Sequence, residues 1–319
     1  MRALATVLFL VACAPQPVEL PLEREFQTML DSLDARSAMY AKHLPSGREI
    51  AIRADESMNT LSVIKIPIMI QAFRDAEANR LRLTDRYTVQ PDDLRRGSGL
   101  LQTFDVGLAP TYRDIIEQMI ITSDNTATDI MIKTLGLGRV NQMLELYELP
   151  GTRLNWRTAD LFKEVWVRAD SSNRSMTDRE VFERGFPRGS NGGIDVGFAI
   201  EGDSSKWLGR TTAREMAKIL EGILQGTYAS AEHSEQMVGI LKRQLYSSRL
   251  PRRLQYRLPV EVAHKTGDWP PYAGNDVGIL FYEGGPTIVS IFTSQSKGDF
   301  LVLEQTLGRI AERLVQEWR

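Results

Sequence analysis

Strand-like patterns lie only towards the two ends of this 319-residue chain, and the stretch between them reads as helical. Arg48 to Ala54 alternates apolar and polar residues after the Pro45-Ser46-Gly47 turn, and Ala38 to Leu44 is a weaker strand pattern before it. Far along the chain, Val260 to His264, Asp276 to Tyr282 and Thr287 to Thr293 read as three more strands, the last two joined by the hairpin turn Glu283-Gly284-Gly285-Pro286. Helix-plus-sheet patterns at both termini around a mostly helical middle suggest one lobe made from both chain ends. The fold class expected is therefore α/β: an antiparallel sheet with flanking helices from both chain ends, plus an inserted all-helical lobe.

Helical periodicity marks Leu20 to Ala35 and Phe300 to Trp318 at the ends. In the middle it marks Val63 to Asn79, Tyr112 to Ile121, Thr126 to Leu135 and Val140 to Leu146; Thr212 to Leu224 and Ser234 to Leu245 lead back towards the sheet. Residues 20–60 and 207–319 are assigned to the α/β lobe and 61–206 to the helical lobe. Within the latter, 167–206 is rich in Ser, Asn, Asp, Arg and Gly and reads as a long loop insertion. A cleft between the lobes is where a small molecule would bind.

The formal net charge of −2 does not suggest a nucleic-acid-binding surface. Arg2 followed by the apolar run Ala3 to Ala12 has the form of an export signal, residues 1–19 being signal and tether. Cys13, the only cysteine, stands at the end of that run, as the lipidated residue of a bacterial lipoprotein would; an ordinary signal peptide with a stray cysteine is the plainer alternative. The expected location is the periplasm or cell envelope, with membrane contact only through an anchor at Cys13. One cysteine excludes an internal disulfide and cysteine-rich metal sites, and neither metal nor organic cofactor is expected.

Three short strings carry the chemistry. Ser62-Val63-Ile64-Lys65 places a hydroxyl and an amine three residues apart, on one face of the helix that follows. A serine becomes a nucleophile when a neighbouring base takes its proton, and lysine is such a base once burial or a nearby cation lowers its pKa. Ser123-Asp124-Asn125 falls between two helical patterns, where a break lets Ser123 and Asn125 face the cleft while Asp124 turns inward. Lys265-Thr266-Gly267 ends a strand, offering an ammonium and a hydroxyl to a carboxylate, with Gly267 letting the strand approach a ligand. Each string has a plain structural use, as helix cap, Asx turn or strand end, and Ser-x-x-Lys recurs without company at Ser294 to Lys297.

In that order, the three strings resemble the signature of class A β-lactamases and related active-site-serine hydrolases, including penicillin-binding proteins. Thr152-Arg153-Leu154 and Thr211-Thr212-Ala213-Arg214-Glu215-Met216 extend the likeness over about Leu20 to Trp318. The resemblance implies an acylated Ser62, Lys65 as its base partner, Ser123 relaying a proton to the leaving nitrogen and Asn125 binding the substrate amide. Lys265 and Thr266 would bind a substrate carboxylate, and the amides of Ser62 and Asp268 would form the oxyanion hole. The family's water-activating glutamate would fall near Thr158, where the chain reads Asn155-Trp156-Arg157-Thr158-Ala159-Asp160. Asp160 is the first substitute considered; Glu164, Glu180, Glu183 and Glu201 have no support from spacing. No carboxylate-binding arginine is evident on the strand from Asp276 to Phe281.

The expected function is an exported serine hydrolase opening a β-lactam or related amide through a Ser62 acyl-enzyme. The alternatives are a penicillin-binding or D,D-peptidase-like enzyme with slow deacylation, and a non-catalytic cell-envelope binding protein. Substrate identity and oligomeric state are not set by the sequence.

Overall fold

A computed structural model describes residues 21–187, 192–254 and 259–319; the expected signal and tether, with Cys13, lie outside the described residues. Helix α1 (Leu22–Asp31) carries Glu23 and Glu25 in its first turn, where the helix dipole favours negative charge, and buries Phe26 and Leu30. Strands β1 (Arg36–His43) and β2 (Glu49–Ile52) form a hairpin with Met39 opposite Ile52. The two-residue strand β3 (Met58–Asn59) leads into a 3-10 turn, Leu61–Ile64, which runs directly into α2 (Lys65–Glu77). Pro67 sits in the first turn of α2, where the amide it lacks would have no intrahelical partner.

Helix α2 is buried from Lys65 to Phe73, and α3 (Tyr112–Ile121), α4 (Asn125–Leu135) and α5 (Leu137–Leu146) pack around it. Next come β4 (Arg153–Leu154) and α6 (Thr158–Ala169). The segment expected as a long loop, 167–206, is largely helical. It begins inside α6 and continues through α7 (Asp178–Arg184) and α8 (Gly192–Glu201), which pack on α6. Thr177 and Glu180 close a reciprocal capping box on α7, which offsets its polar composition.

Strand β5 (Gly209–Thr211) and helices α9 (Ala213–Leu224) and α10 (Ala231–Lys242) return the chain to the sheet, completed by β6 (Glu261–Trp269), β7 (Ala273–Phe281) and β8 (Thr287–Ser294). Helix α11 (Phe300–Glu317) ends the chain. The five-stranded sheet has the order β2-β1-β8-β7-β6 and every pairing is antiparallel. A small sheet, β3-β5-β4, bridges the lobes.

Side chains alternate across the main sheet. Met39, Ala41, Val289 and Ile291 pack under α1 and α11, whereas Ala38, Tyr40, Ile288 and Phe292 join the core of the helical lobe. With both faces covered, β8 is buried at every position and reads as a continuous apolar and hydroxyl run. No helix among the described residues is long and apolar enough to cross a membrane.

Candidate active site

Ser62 is half-buried in the 3-10 turn and opens into a cavity of about 680 Å³ between the lobes. Leu61, immediately before it, holds a left-handed φ of 46°, which costs a residue with a Cβ on the order of 1 kcal/mol. Asn59 stabilises that turn by accepting a hydrogen bond from the Leu61 amide at 3.1 Å.

Lys65, one turn on, is fully buried. Its Nζ donates to the Ser123 carbonyl at 2.6 Å, to Asn125 Oδ1 at 2.9 Å and to Ser123 Oγ at 3.2 Å. Ser123 also has a left-handed φ, 56°, in the break between α3 and α4. Lys265, equally buried on β6, donates to the same Ser123 Oγ at 3.0 Å and to the Thr266 carbonyl at 2.8 Å. Two amines from distant parts of the chain thus meet on one hydroxyl.

Burial opposes charge on both amines. It drives Lys65 well below the ordinary lysine value, with the neighbouring Lys265 adding to the effect. Burial brings Lys265 down to about 7, against the upward pull of Asp268 and Asp276. A neutral Lys65 has a lone pair, so its contact with Ser123 can carry a proton either way.

Asp124 turns inward. Its carboxylate accepts from the Ala127 amide at 2.8 Å, capping α4, and from the Leu101 amide at 2.7 Å, fixing the loop whose Gly97 and Ser98 line the cavity. Gly99 makes that contact possible, because a Cβ on it would lie 2.3 Å from the Asp124 backbone. Asn125 Nδ2 donates to the Arg96 carbonyl at 2.9 Å, so its side chain is held at both ends.

Three sequence expectations change here. Gly267 does admit a close approach, but the neighbour is the turn that carries Ser62: a Cβ would meet the Thr60 carbonyl at 2.7 Å and Leu61 Cβ at 3.2 Å. The Thr266 hydroxyl, expected to bind a carboxylate, is buried away from the cavity lining, without a hydrogen-bond partner among the described residues. Asp160 is not beside Ser62. It lines a separate cavity with Asp93, Arg95 and Lys133, while accepting from the Arg157 amide at 3.0 Å and from Arg157 Nη2 at 2.6 Å. Its place at the third position of α6 commits it to capping.

Asp160→Asn is accordingly expected to leave the lifetime of any acyl-enzyme unchanged and to destabilise the fold by about 0.5–1 kcal/mol, through a weaker cap and a half-exposed ion pair lost. Urea melts and adduct decay measure the two effects; a tenfold slower decay would return Asp160 to the chemistry.

Thr158, at the first position of α6, does line the Ser62 cavity, and its buried hydroxyl has no partner among the described residues. Beyond it the wall is apolar, formed by Leu161, Phe162 and Val165 of α6 with Phe186 set edge-on to Phe162. Helix α6 is fixed by Asp129 of α4, which accepts from the Thr158 and Ala159 amides at 2.7 and 2.9 Å and pairs with Arg95 at 2.6 Å. The other suggested carboxylates are also engaged elsewhere: Glu164 with Arg168 and Lys206, Glu180 as the α7 cap, Glu183 with Arg179 and Glu201 in the core.

Among the described residues, the carboxylates that line the cavity are Asp268 and Glu304, both against the buried guanidinium of Arg249. Arg249 was not legible as a site residue. It sits just before a short 3-10 turn at Leu250–Arg253, outside the strand pattern, and Asp276 orients that turn by accepting from the Leu250 amide at 3.0 Å. Among the described residues no cluster of His, Cys, Asp and Glu is arranged to hold a metal ion.

The profile described as the beta-lactamase enzyme family matches residues 21–318. The chain belongs to that family. A β-lactamase of Streptomyces fradiae is 22% identical over 294 residues, covering 88% of this chain and 82% of the relative. A β-lactamase of Amycolatopsis lactamdurans is 29% identical over 127 residues, 39% of this chain and 41% of the relative, so that match spans about two fifths of its length. Among solved structures, the fold resembles a β-lactamase from Sphaerobacter thermophilus, with a TM-score of 0.73, 23% identity and coverage of 93% of this chain and 96% of that one. It also resembles a leucine-to-glutamate variant of PBP-A, solved as an acyl-enzyme with penicillin G, with a TM-score of 0.70, 21% identity and coverage of 92% and 96%. The β-lactamase family fold is thus shared, at identities that speak to architecture.

Proposed function

We propose that this β-lactamase-family chain is an exported serine acyltransferase-hydrolase, acylated at Ser62 by a β-lactam or related amide, with slow hydrolytic release of the acyl group. The observation that carries the reading is the convergence of Lys65 and Lys265 on Ser123 Oγ beside the Ser62 cavity.

Neutral Lys65 takes the Ser62 proton as Oγ attacks the carbonyl carbon, giving a tetrahedral oxyanion held by the Ser62 and Asp268 amides. The proton passes through Ser123 to the leaving nitrogen, the C–N bond breaks and the acyl-enzyme remains. Asn125 orients the substrate amide. Arg249, which lines the cavity, provides the cationic end of the site for a substrate carboxylate, and the charged form of buried Lys265 adds to it through Ser123.

What surrounds the ester among the described residues supports slow release. Thr158 occupies the place expected for a water-activating carboxylate, Leu161, Phe162 and Val165 present hydrocarbon, and Asp268 and Glu304 are engaged with Arg249. Loss of a general base typically costs about 10²–10⁴-fold in the step it serves. The same apolar wall suits a substrate with an aromatic or branched acyl group.

Mixing the protein with penicillin G and following intact mass should show one added acyl group that persists well beyond a catalytic cycle. Rapid conversion of penicillin without accumulation would replace slow release by efficient hydrolysis. Absence of both adduct and product would leave a non-catalytic binding protein. A lipid on Cys13 and residence in the cell envelope are part of the same proposal, and mass analysis of the mature N-terminus tests them.

A further inference from the structure

The turn that presents Ser62 is held by a carboxylate from the segment inserted after α6. Glu201, the last residue of α8, is only 1% exposed. Its Oε1 accepts from Asn59 Nδ2 at 2.7 Å and its Oε2 from Ser294 Oγ at 2.9 Å, while its carbonyl accepts from Trp207 Nε1 at 2.9 Å. Asn59 passes this restraint on through Oδ1, which accepts from the amide of left-handed Leu61. The backbone of the same turn is gripped from the sheet by Asn275 Nδ2, donating to the Asn59 and Thr60 carbonyls at 2.9 and 3.3 Å.

A non-glycine residue at positive φ persists only where its surroundings over-determine it. Asn59 is 2% exposed, so without Glu201 its amide would be a buried donor with no acceptor. Holding a carboxylate there is itself costly: burial raises Glu201 to about 7 despite the hydrogen bonds from Ser294 and Asn59. The insertion is also tied to the cavity wall, by Lys206 to Glu164 at 3.1 Å and by Arg168 to Asp203.

We propose that Glu201 is a positioning residue that sets the attack geometry of Ser62 through Asn59 and Leu61, making the inserted segment a brace for the nucleophile. The inference rests on the acylation reading above. Misplacing a reacting group by about 1 Å can cost about 100-fold, so Glu201→Ala should slow acylation by penicillin G roughly 10- to 100-fold per folded molecule while leaving release unchanged. Glu201→Gln should restore acylation to within about threefold, because its amide oxygen accepts from Asn59 and its NH₂ donates to Ser294.

Hydrogen exchange across residues 59–64 should quicken in Glu201→Ala and return to normal in Glu201→Gln. If Glu201→Ala does not fold, Asn59→Ala carries the test and should show the same split between acylation and release. Unchanged exchange across 59–64, or wild-type acylation in the alanine variant, overturns the brace. Faster exchange in Glu201→Ala together with no adduct on the wild-type protein keeps the brace and overturns the acylation reading.

Discussion

Ser62→Ala is expected to abolish covalent labelling by penicillins, a loss on the scale of roughly 10⁶-fold for removal of a serine nucleophile. The cavity is also lined by Ser123, whose hydroxyl accepts from both lysines, so the experiment discriminates between two serines. Ser123 is 2% exposed and already accepts from both lysines, whereas Ser62 is half-buried and faces the open volume. Intact-mass analysis with peptide mapping of the adduct decides it. Labelling that survives in Ser62→Ala would sink the assignment, and an adduct mapped to Ser123 would reassign the nucleophile.

Thr158→Glu is expected to shorten the life of the acyl-enzyme by about 10²–10⁴-fold, the range for supplying a general base. The position lines the Ser62 cavity and its present hydroxyl has no partner to lose among the described residues. Leu161, Phe162 and Val165 nearby would raise the pKa of a new carboxylate, as would negative Asp129 at the Thr158 amide; the α6 dipole would lower it. Thr158→Gln has nearly the same shape but no basicity and should not accelerate release. Pulse-labelling with penicillin G followed by timed mass spectra gives both rates. A glutamate variant that acylates normally yet releases no faster would show that something other than the missing base limits turnover.

The helix that follows Ser62, the Ser123 turn and the three C-terminal strands were legible because local pattern and tertiary role agree there. Apolar residues fill α2 on all sides, since that helix is the centre of the lobe, and the Gly284-Gly285 turn fixed the β7–β8 hairpin. Asp160 misled because a carboxylate near the right spacing is equally suited to the third position of a helix. Only the direction of α6 shows that it faces Arg157. Helix α7 was hidden by its charged surface, although the Thr177 to Glu180 capping spacing was there to be read. Arg249 and Glu201 could not be found from local pattern. One lies beside a short turn and the other ends a glycine-bearing helix, and each gains its role from residues far away in sequence.

The pairing of β1 with β8 has a consequence for how the chain reaches this state. Met39 lies opposite Ile291, so the middle of the sheet cannot zip until nearly the whole polypeptide is available. Contacts that distant carry a large loop-closure cost and belong to slow-folding topologies. The contact of Lys265 with Ser123 spans 142 residues of chain, so the two amines meet at the cost of a second long loop closure.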